Sequence, residues 1–140
     1  MNCVFCKIID GELPCEMLLE TNNVIVILDI NPVNDGHALV IPKVHCQNFW
    51  DIEEHLYRDI LHATHKASRA ICKATGCEGF NILQNNGKCA GQDVFHVHFH
   101  IIPRHENDGV RFGFKPKKYD KERMTTLGDN IRSQLDNLTE

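Results

Sequence analysis

The sequence predicts an α+β domain: an antiparallel sheet of about five strands, one long helix and a C-terminal helix. Three observations carry that prediction. Short apolar runs bounded by turn residues recur before residue 45 and again near residues 80 and 100. One unbroken stretch of helical periodicity spans Asp51 to Thr75, and a second helical stripe closes the chain. The 140 residues fit one compact domain, read as residues 1–140 with a helical extension from about residue 119.

Cys3 to Asp10 reads as a short helix ending at Gly11. Met17–Glu20 and Val24–Leu28 read as strands joined at Asn22-Asn23, a pair that tolerates positive φ and suits a tight turn. Ala38–Ile41 is a short apolar strand closed by Pro42. The long helix carries Leu56, Ile60, Ala63, Ala67, Ala70 and Ala74 at helical spacing, and Gly76 is placed to end it. Asp51 and Glu54 fit a capping box at its start. His55, His62 and His65 on this helix read as a solvated face, because no Cys or carboxylate completes a ligand set there. Phe80–Leu83 is a further strand, and residues 85–92 are a polar loop. Phe95–Ile102 reads as a strand stopped by Pro103. The last helix, about Asp120 to Leu138, aligns Met124, Leu127, Ile131, Leu135 and Leu138 on one stripe for packing.

The formal net charge is -4, which argues against broad binding to nucleic acid or anionic membrane. No apolar run approaches the ~20 residues of a membrane helix. Seven cysteines cannot all pair within one chain, and Met1-Asn2-Cys3-Val4-Phe5-Cys6 has no secretory character. The expectation is a cytoplasmic protein with thiols free or metal-bound.

His96-Val97-His98-Phe99-His100-Ile101-Ile102 is the most informative segment. Strand alternation puts the three histidines on one face and Val97, Phe99 and Ile101 on the other. At about 3.3 Å per residue the outer two Cα atoms lie about 13 Å apart, so one ion bound by all three is a poor fit. An ordinary exposed face would not select imidazole three times. Imidazole titrates near neutrality and can act as nucleophile or acid/base, and such a row suits attack on phosphorus.

These residues resemble the histidine triad (HIT) superfamily, whose signature alternates His with apolar residues in this way. Phe5-Cys6-Lys7-Ile8-Ile9, Leu28-Asp29-Ile30-Asn31-Pro32, Gly36 to His45 and Gly91-Gln92-Asp93-Val94-Phe95 are similar to its Hint-like and bacterial members. The resemblance implies a HIT-like sheet that continues across a homodimer. It implies a nucleotide hydrolase or transferase, of phosphoramidase or dinucleoside polyphosphate hydrolase type, acting on purine nucleotide conjugates, with adenosine favoured. His98 matches the nucleophile that forms a nucleotidyl-histidine. His100 and His37 match histidines of the α-phosphate pocket, and Asn85, Gly91 and Gln92 match its loop. Asp29 matches the acidic residue on the ribose hydroxyls. Phe5, Ile8, Ile27 and Ile30 match the apolar base pocket, though such residues also serve as ordinary core. Asp93 stands where many Hint-like members carry a serine that protonates the leaving group. A carboxylate can replace it as general acid only if its proton is retained.

Cys3-x-x-Cys6 has the reach of half a zinc site, and a redox pair or two free thiols fit it equally. The resemblance supplies two further ligands, His45 and His96, giving a structural zinc on Cys3, Cys6, His45 and His96, with no catalytic metal required. The rival expectation is a non-catalytic nucleotide- and zinc-binding regulatory or interaction protein.

Overall fold

The structure, a computed structural model, describes residues 2–138. Five strands form one antiparallel sheet: β1 (Met17–Glu20), β2 (Val24–Leu28), β3 (Ala38–Pro42), β4 (Gly79–Leu83) and β5 (Phe99–Arg104), in the order β1-β2-β3-β5-β4. The helices among the described residues are α1 (Val4–Ile9), α2 (Glu54–Thr75) and α3 (Lys121–Asn137). The predicted α+β class is therefore the observed one.

β2 and β3 are apolar at consecutive positions because both sheet faces are covered. Val24, Val26, Ala38 and Val40 pack with Leu56, Ile60, Ala63, Ala67 and Ile71 of α2. Ile25, Ile27, Leu39 and Ile41 face the other way, onto Cys3 and Phe5. α2 turns Ile71 inward while Ala70 and Ala74 are exposed, so the buried stripe is rotated from the alanine pattern read in sequence. Thr64 and Ser68 share that stripe. Their hydroxyls donate to the Ile60 and His65 carbonyls, which removes the penalty of burying them.

Several local expectations are corrected. α2 starts at Glu54, and the capping box lies earlier: Asn48 caps the 3-10 turn Phe49–Asp51, and Asp51 accepts from the Asn48 N–H at 3.1 Å. The β1–β2 turn uses no positive φ at Asn22 or Asn23. Thr21 closes it instead, its Oγ1 accepting from the Val24 N–H at 2.9 Å. β5 begins at Phe99, not Phe95, and runs through Pro103. Pro103 is tolerated because its nitrogen faces the β3 side, where pairing has already ended at Ala38↔Ile101. Its carbonyl on that side accepts from Asn34 Nδ2 at 2.9 Å.

Asn34 belongs to a clasp that fixes the loop entering β3. Arg104 Nε and Nη2 donate to Asp108 at 2.7 and 3.0 Å, and Asn34 Nδ2 donates to the same carboxylate at 2.9 Å. The Arg104 guanidinium and the donated N–H groups hold Asp108 well below the usual carboxylate range.

The chain divides into two compact units, Met1–Val110 and Arg111–Glu140. The first contains the sheet, α1 and α2. The second contains α3, capped by Asp120, whose Oδ1 accepts from the Arg123 N–H at 2.8 Å. The apolar stripe Met124, Leu127, Ile131, Leu135 and Leu138 is exposed rather than packed.

Candidate active site

His96 and His98 lie just before β5, in a segment held by loop contacts rather than by a ladder. The Val97 N–H donates to the Cys46 carbonyl at 2.7 Å, which turns Val97 into the α2-side core. Its neighbours His96 and His98 are thereby directed to the α1 side, where both rings make T-shaped contacts with Phe5. His100, inside β5, is paired with Leu39 of β3.

The hydrogen bonds assign each tautomer. His98 Nδ1 lies 2.8 Å from the His96 carbonyl. A carbonyl only accepts, so Nδ1 carries the proton and Nε2 keeps its lone pair. The Val33 N–H donates to His37 Nδ1 at 3.0 Å, so His37 carries its proton on Nε2. That proton points to His100 Nδ1 at 2.9 Å, and His100 is left with an N–H at Nε2. The cluster thus contains one imidazole lone pair and one imidazole N–H with no partner role in holding the fold. Asp29 Oδ2 approaches His37 Nε2 at 3.6 Å, and its Oδ1 accepts from the Asn31 N–H at 2.8 Å.

Burial, with His98 and His37 adjacent, pushes the His100 pKa from 6.5 down to about 4. Burial also lowers His37, opposed by the Asp29 charge. The unfolded chain therefore binds a proton between pH 6.5 and about 4 that folded His100 does not. Its contribution to stability is complete above the unfolded value and is lost as pH falls through that window. We expect His100→Asn to flatten the decline of Tm between pH 7 and pH 4. An unchanged slope would exclude His100 as a source of the acid sensitivity.

The 85–92 loop is braced from within. Gln92 is buried; its Oε1 accepts from the Gly87 N–H at 2.7 Å and its Nε2 donates to the Gln47 carbonyl at 2.7 Å. Its side chain is fully engaged in shaping the loop. Asn85 Nδ2 donates to the Gly91 carbonyl at 3.3 Å, and Gly91 adopts φ 86, a conformation that favours glycine. Asp93 is exposed. Of the four apolar candidates, Phe5 and Ile27 are buried with Ile8 packed beside them, whereas Ile30 is 89% exposed.

Cys3, Cys6, His45 and His96 converge, their four ligand atoms all within 4.8 Å of one another. His96 Nδ1 lies 3.4 Å from Cys3 Sγ, 3.6 Å from Cys6 Sγ and 3.2 Å from His45 Nδ1. Cys6 Sγ lies 3.3 Å from His45 Nδ1. A zinc tetrahedron with Zn–S of about 2.3 Å and Zn–N of about 2.05 Å has S···N edges of about 3.6 Å and an N···N edge of about 3.3 Å. The observed edges match within a few tenths of an ångström. His96 Nε2 donates to the Pro42 carbonyl at 2.8 Å, which leaves Nδ1 as the ligating atom. The residues fit the metal.

Asp29, His37 and His100 also cluster within ligand range. This set does not fit a metal. His37 Nδ1 is occupied by the Val33 N–H, so Nε2 holds the proton that a metal would have to displace.

The sheet and the assigned imidazoles define a class: an α+β protein in which a His-Val-His-Phe-His segment feeds a central strand and one imidazole offers a free lone pair. A HIT domain profile matches residues 10–107, and the chain belongs to the HIT family. The adenosine 5'-monophosphoramidase hnt1 of Schizosaccharomyces pombe is 43% identical over 136 residues, covering 96% of this chain and 99% of its own. The adenylylsulfatase HINT3 of Arabidopsis thaliana is 48% identical over 107 residues, covering 76% of this chain and 54% of its own. The crystal structure of a HIT family member from Bacillus subtilis superposes with a TM-score of 0.91 at 39% identity, covering 100% of this chain and 99% of that one. A Zn-bound histidine triad family protein from Mycobacterium smegmatis superposes with a TM-score of 0.75 at 36% identity, covering 98% and 97%.

Sequence reasoning did not find the groups that place the protons. They are the Val33 N–H and the Pro42 and His96 carbonyls. Main-chain atoms carry no residue-type signal. The Asn34–Arg104–Asp108 clasp was missed too, since Asn34 is far in sequence from the Arg104–Asp108 pair it joins.

Proposed function

We propose that the chain is a nucleotide hydrolase or transferase that cleaves the α-phosphate bond of adenosine monophosphate conjugates through a nucleotidyl-histidine on His98. The observation that carries this is the His98 Nδ1–His96 carbonyl hydrogen bond, which commits Nε2 to being a lone-pair nucleophile. In the first step Nε2 attacks the α-phosphorus, a P–N bond forms, and the bond to the leaving group breaks. The leaving group takes up a proton, delivered through Asp93. Water then attacks the same phosphorus, the P–N bond breaks, and the nucleoside monophosphate leaves with His98 restored. The His100 Nε2–H donates to a non-bridging phosphate oxygen, and His37 fixes that proton's position. Asn85 and the Gly91 loop complete the phosphate pocket, with Gln92 holding the loop's shape. Asp29 receives the ribose hydroxyls. Phe5, Ile8 and Ile27 form the floor of the base pocket and exposed Ile30 its lip.

The names of the yeast and plant relatives support an AMP-linked substrate with a nitrogen or sulfate leaving group. The Cys3, Cys6, His45 and His96 set would hold a zinc ion whose role is to brace the N-terminal segment. Four protein ligands leave no open position for substrate. The active form is a homodimer. In support, β4 is an edge strand with Phe80 and Ile82 exposed, and Tyr57 and Leu61 of α2 are exposed as well. Partners are purine nucleotide conjugates rather than nucleic acid or membrane, and the site of action is the cytoplasm, in keeping with the thiol content. No helix among the described residues is long and apolar enough to cross a membrane.

The test is a brief mix with adenosine 5'-monophosphoramidate, an acid-free quench and intact mass. AMP release with a transient increment of one adenylyl group supports the reading. Nucleotide binding without adduct or turnover would favour the non-catalytic alternative.

A further inference from the structure

The outer face of α2 carries charge that the fold does not use. Arg58, His62, His65, Lys66, Arg69 and Lys73 are all exposed. At about 100° per residue they fall within one sector of about 100°, and at about 1.5 Å per residue the stripe is about 22 Å long. It lies opposite the buried face of Leu56, Ile60, Ala63, Ala67 and Ile71.

Nothing on the helix balances this stripe. No aspartate or glutamate occurs between Asp59 and Glu78. Asp59 accepts from Asn23 Nδ2 at 2.7 Å. Among the described residues, Arg58, Lys66, Arg69 and Lys73 form no ion pair. A solvated helix gains from opposite charges at i,i+4 and loses from like ones. Here Arg58 and His62, His62 and Lys66, His65 and Arg69, and Arg69 and Lys73 all stand at that spacing. The negative end of the helix dipole accounts for Lys73 alone, since its pull fades beyond the last turn.

We propose that this face of α2 is a docking surface for an acidic helical segment of a partner protein. The charge pattern selects that occupant. An acidic helix with carboxylates at i,i+4 repeats them about every 6 Å, the interval at which the cations recur here. A phosphate site built on a helix uses the free N–H groups of its first turn, which a mid-helix face lacks. None of the six residues is an aromatic ring on which a nucleic-acid base could stack. The whole chain has a formal net charge of -4 despite these cations, so a long polyanion or an anionic membrane meets repulsion beyond the stripe. Tyr57 and Leu61, assigned above to the proposed dimer, lie on the flank of α2 outside this sector. α2 covers the sheet face opposite Phe5, the ring that His98 contacts, so an occupied stripe leaves the histidine cluster open.

The test measures binding of a labelled alanine-based helical peptide of about 20 residues, with glutamates at successive i,i+4 positions, to the full-length zinc-loaded protein. Fluorescence anisotropy is read in about 0.15 M salt, where exposed charges are screened beyond about 8 Å. The glutamine version of the peptide should bind at least about 10-fold more weakly, and so should the glutamate peptide to Arg69→Glu or Lys66→Gln. Arg69→Lys should stay within a few-fold of the unchanged protein. The Tm of Arg69→Glu should hold or rise, because the new carboxylate faces Lys73 at i,i+4. The proposal is overturned if the glutamate peptide fails to bind, if the glutamine peptide binds equally, or if both variants keep full affinity. Tighter binding of inorganic polyphosphate or a single-stranded oligonucleotide, lost in the same variants, would also overturn it. These readouts do not depend on turnover. Turnover of an AMP conjugate should be unchanged in every variant, so this outcome is separate from that of the proposed nucleotide chemistry.

Discussion

His98→Gly is expected to lower turnover of an AMP conjugate by about 10,000-fold or more while leaving AMP binding within a few-fold. The asymmetry follows from the geometry. His98 supplies the imidazole lone pair that no donor of the cluster occupies, because the Nδ1 lone pairs of His37 and His100 accept from the Val33 N–H and from His37 Nε2–H. The proposed binding groups Asp29 and Asn85 are untouched by the substitution. The adenylyl increment in the intact mass should vanish with the activity. Free imidazole can enter the space left by the ring and should restore part of the rate. His98 also packs against Phe5 and His100 at ring separations of 5.0 and 4.9 Å, so a melting curve must accompany the kinetics. His98→Asn, which keeps more of the side-chain volume, should be equally inactive and closer to native stability. Retention of full turnover in either variant would remove His98 as the nucleophile.

Cys3→Ser is expected to take the zinc content from about one ion per chain to near zero and to lower Tm on the order of 10 °C. The size of the effect reflects how much structure meets at Cys3. Its Sγ caps α1, accepting from the Cys6 N–H at 3.5 Å, and it lies 3.4 Å from His96 Nδ1, a contact that joins α1 to His96 across 93 residues of sequence. α1 in turn carries Phe5, whose ring makes T-shaped contacts with both His96 and His98. Loss of the metal should therefore loosen the floor of the histidine cluster, and KM should rise along with the loss of stability. His45→Asn removes a ligand without touching α1, so it separates metal loss from damage to the helix. Zinc that stays at one per chain in Cys3→Ser would exclude this ligand set.

The sheet was readable because burial on both faces made β2 and β3 unbroken apolar runs, rich in β-branched residues and leucine. α2 was readable for the same reason at another period, although counting alanines misjudged its orientation. Ala70 and Ala74 satisfy the spacing, but the larger Ile71 takes the place against the sheet. The start of β5 was misread because His-Val-His-Phe alternates like a strand. The Val97 N–H goes to the Cys46 carbonyl, a loop partner that alternation cannot reveal. The reading of Pro103 as a stop treated a missing N–H as harmful without knowing that no β3 acceptor faces it. At the site, the residue types were visible in sequence, and the family resemblance pointed to the clustering of Cys3, Cys6, His45 and His96. The division of labour among the imidazoles was not, because it depends on which backbone group each ring meets.

Dependence on backbone groups governs how this site tolerates sequence drift. Proton placement on His37, His96 and His98 is decided by main-chain atoms of Val33, Pro42 and His96. Exchanging the Val33 side chain leaves its N–H where it is, so most substitutions there are silent for the chemistry. Proline is the exception: it would erase the donor to His37 and, through it, the preference of His100, without altering a single imidazole. The vulnerable positions of this protein therefore include one that no inspection of its reactive side chains would select.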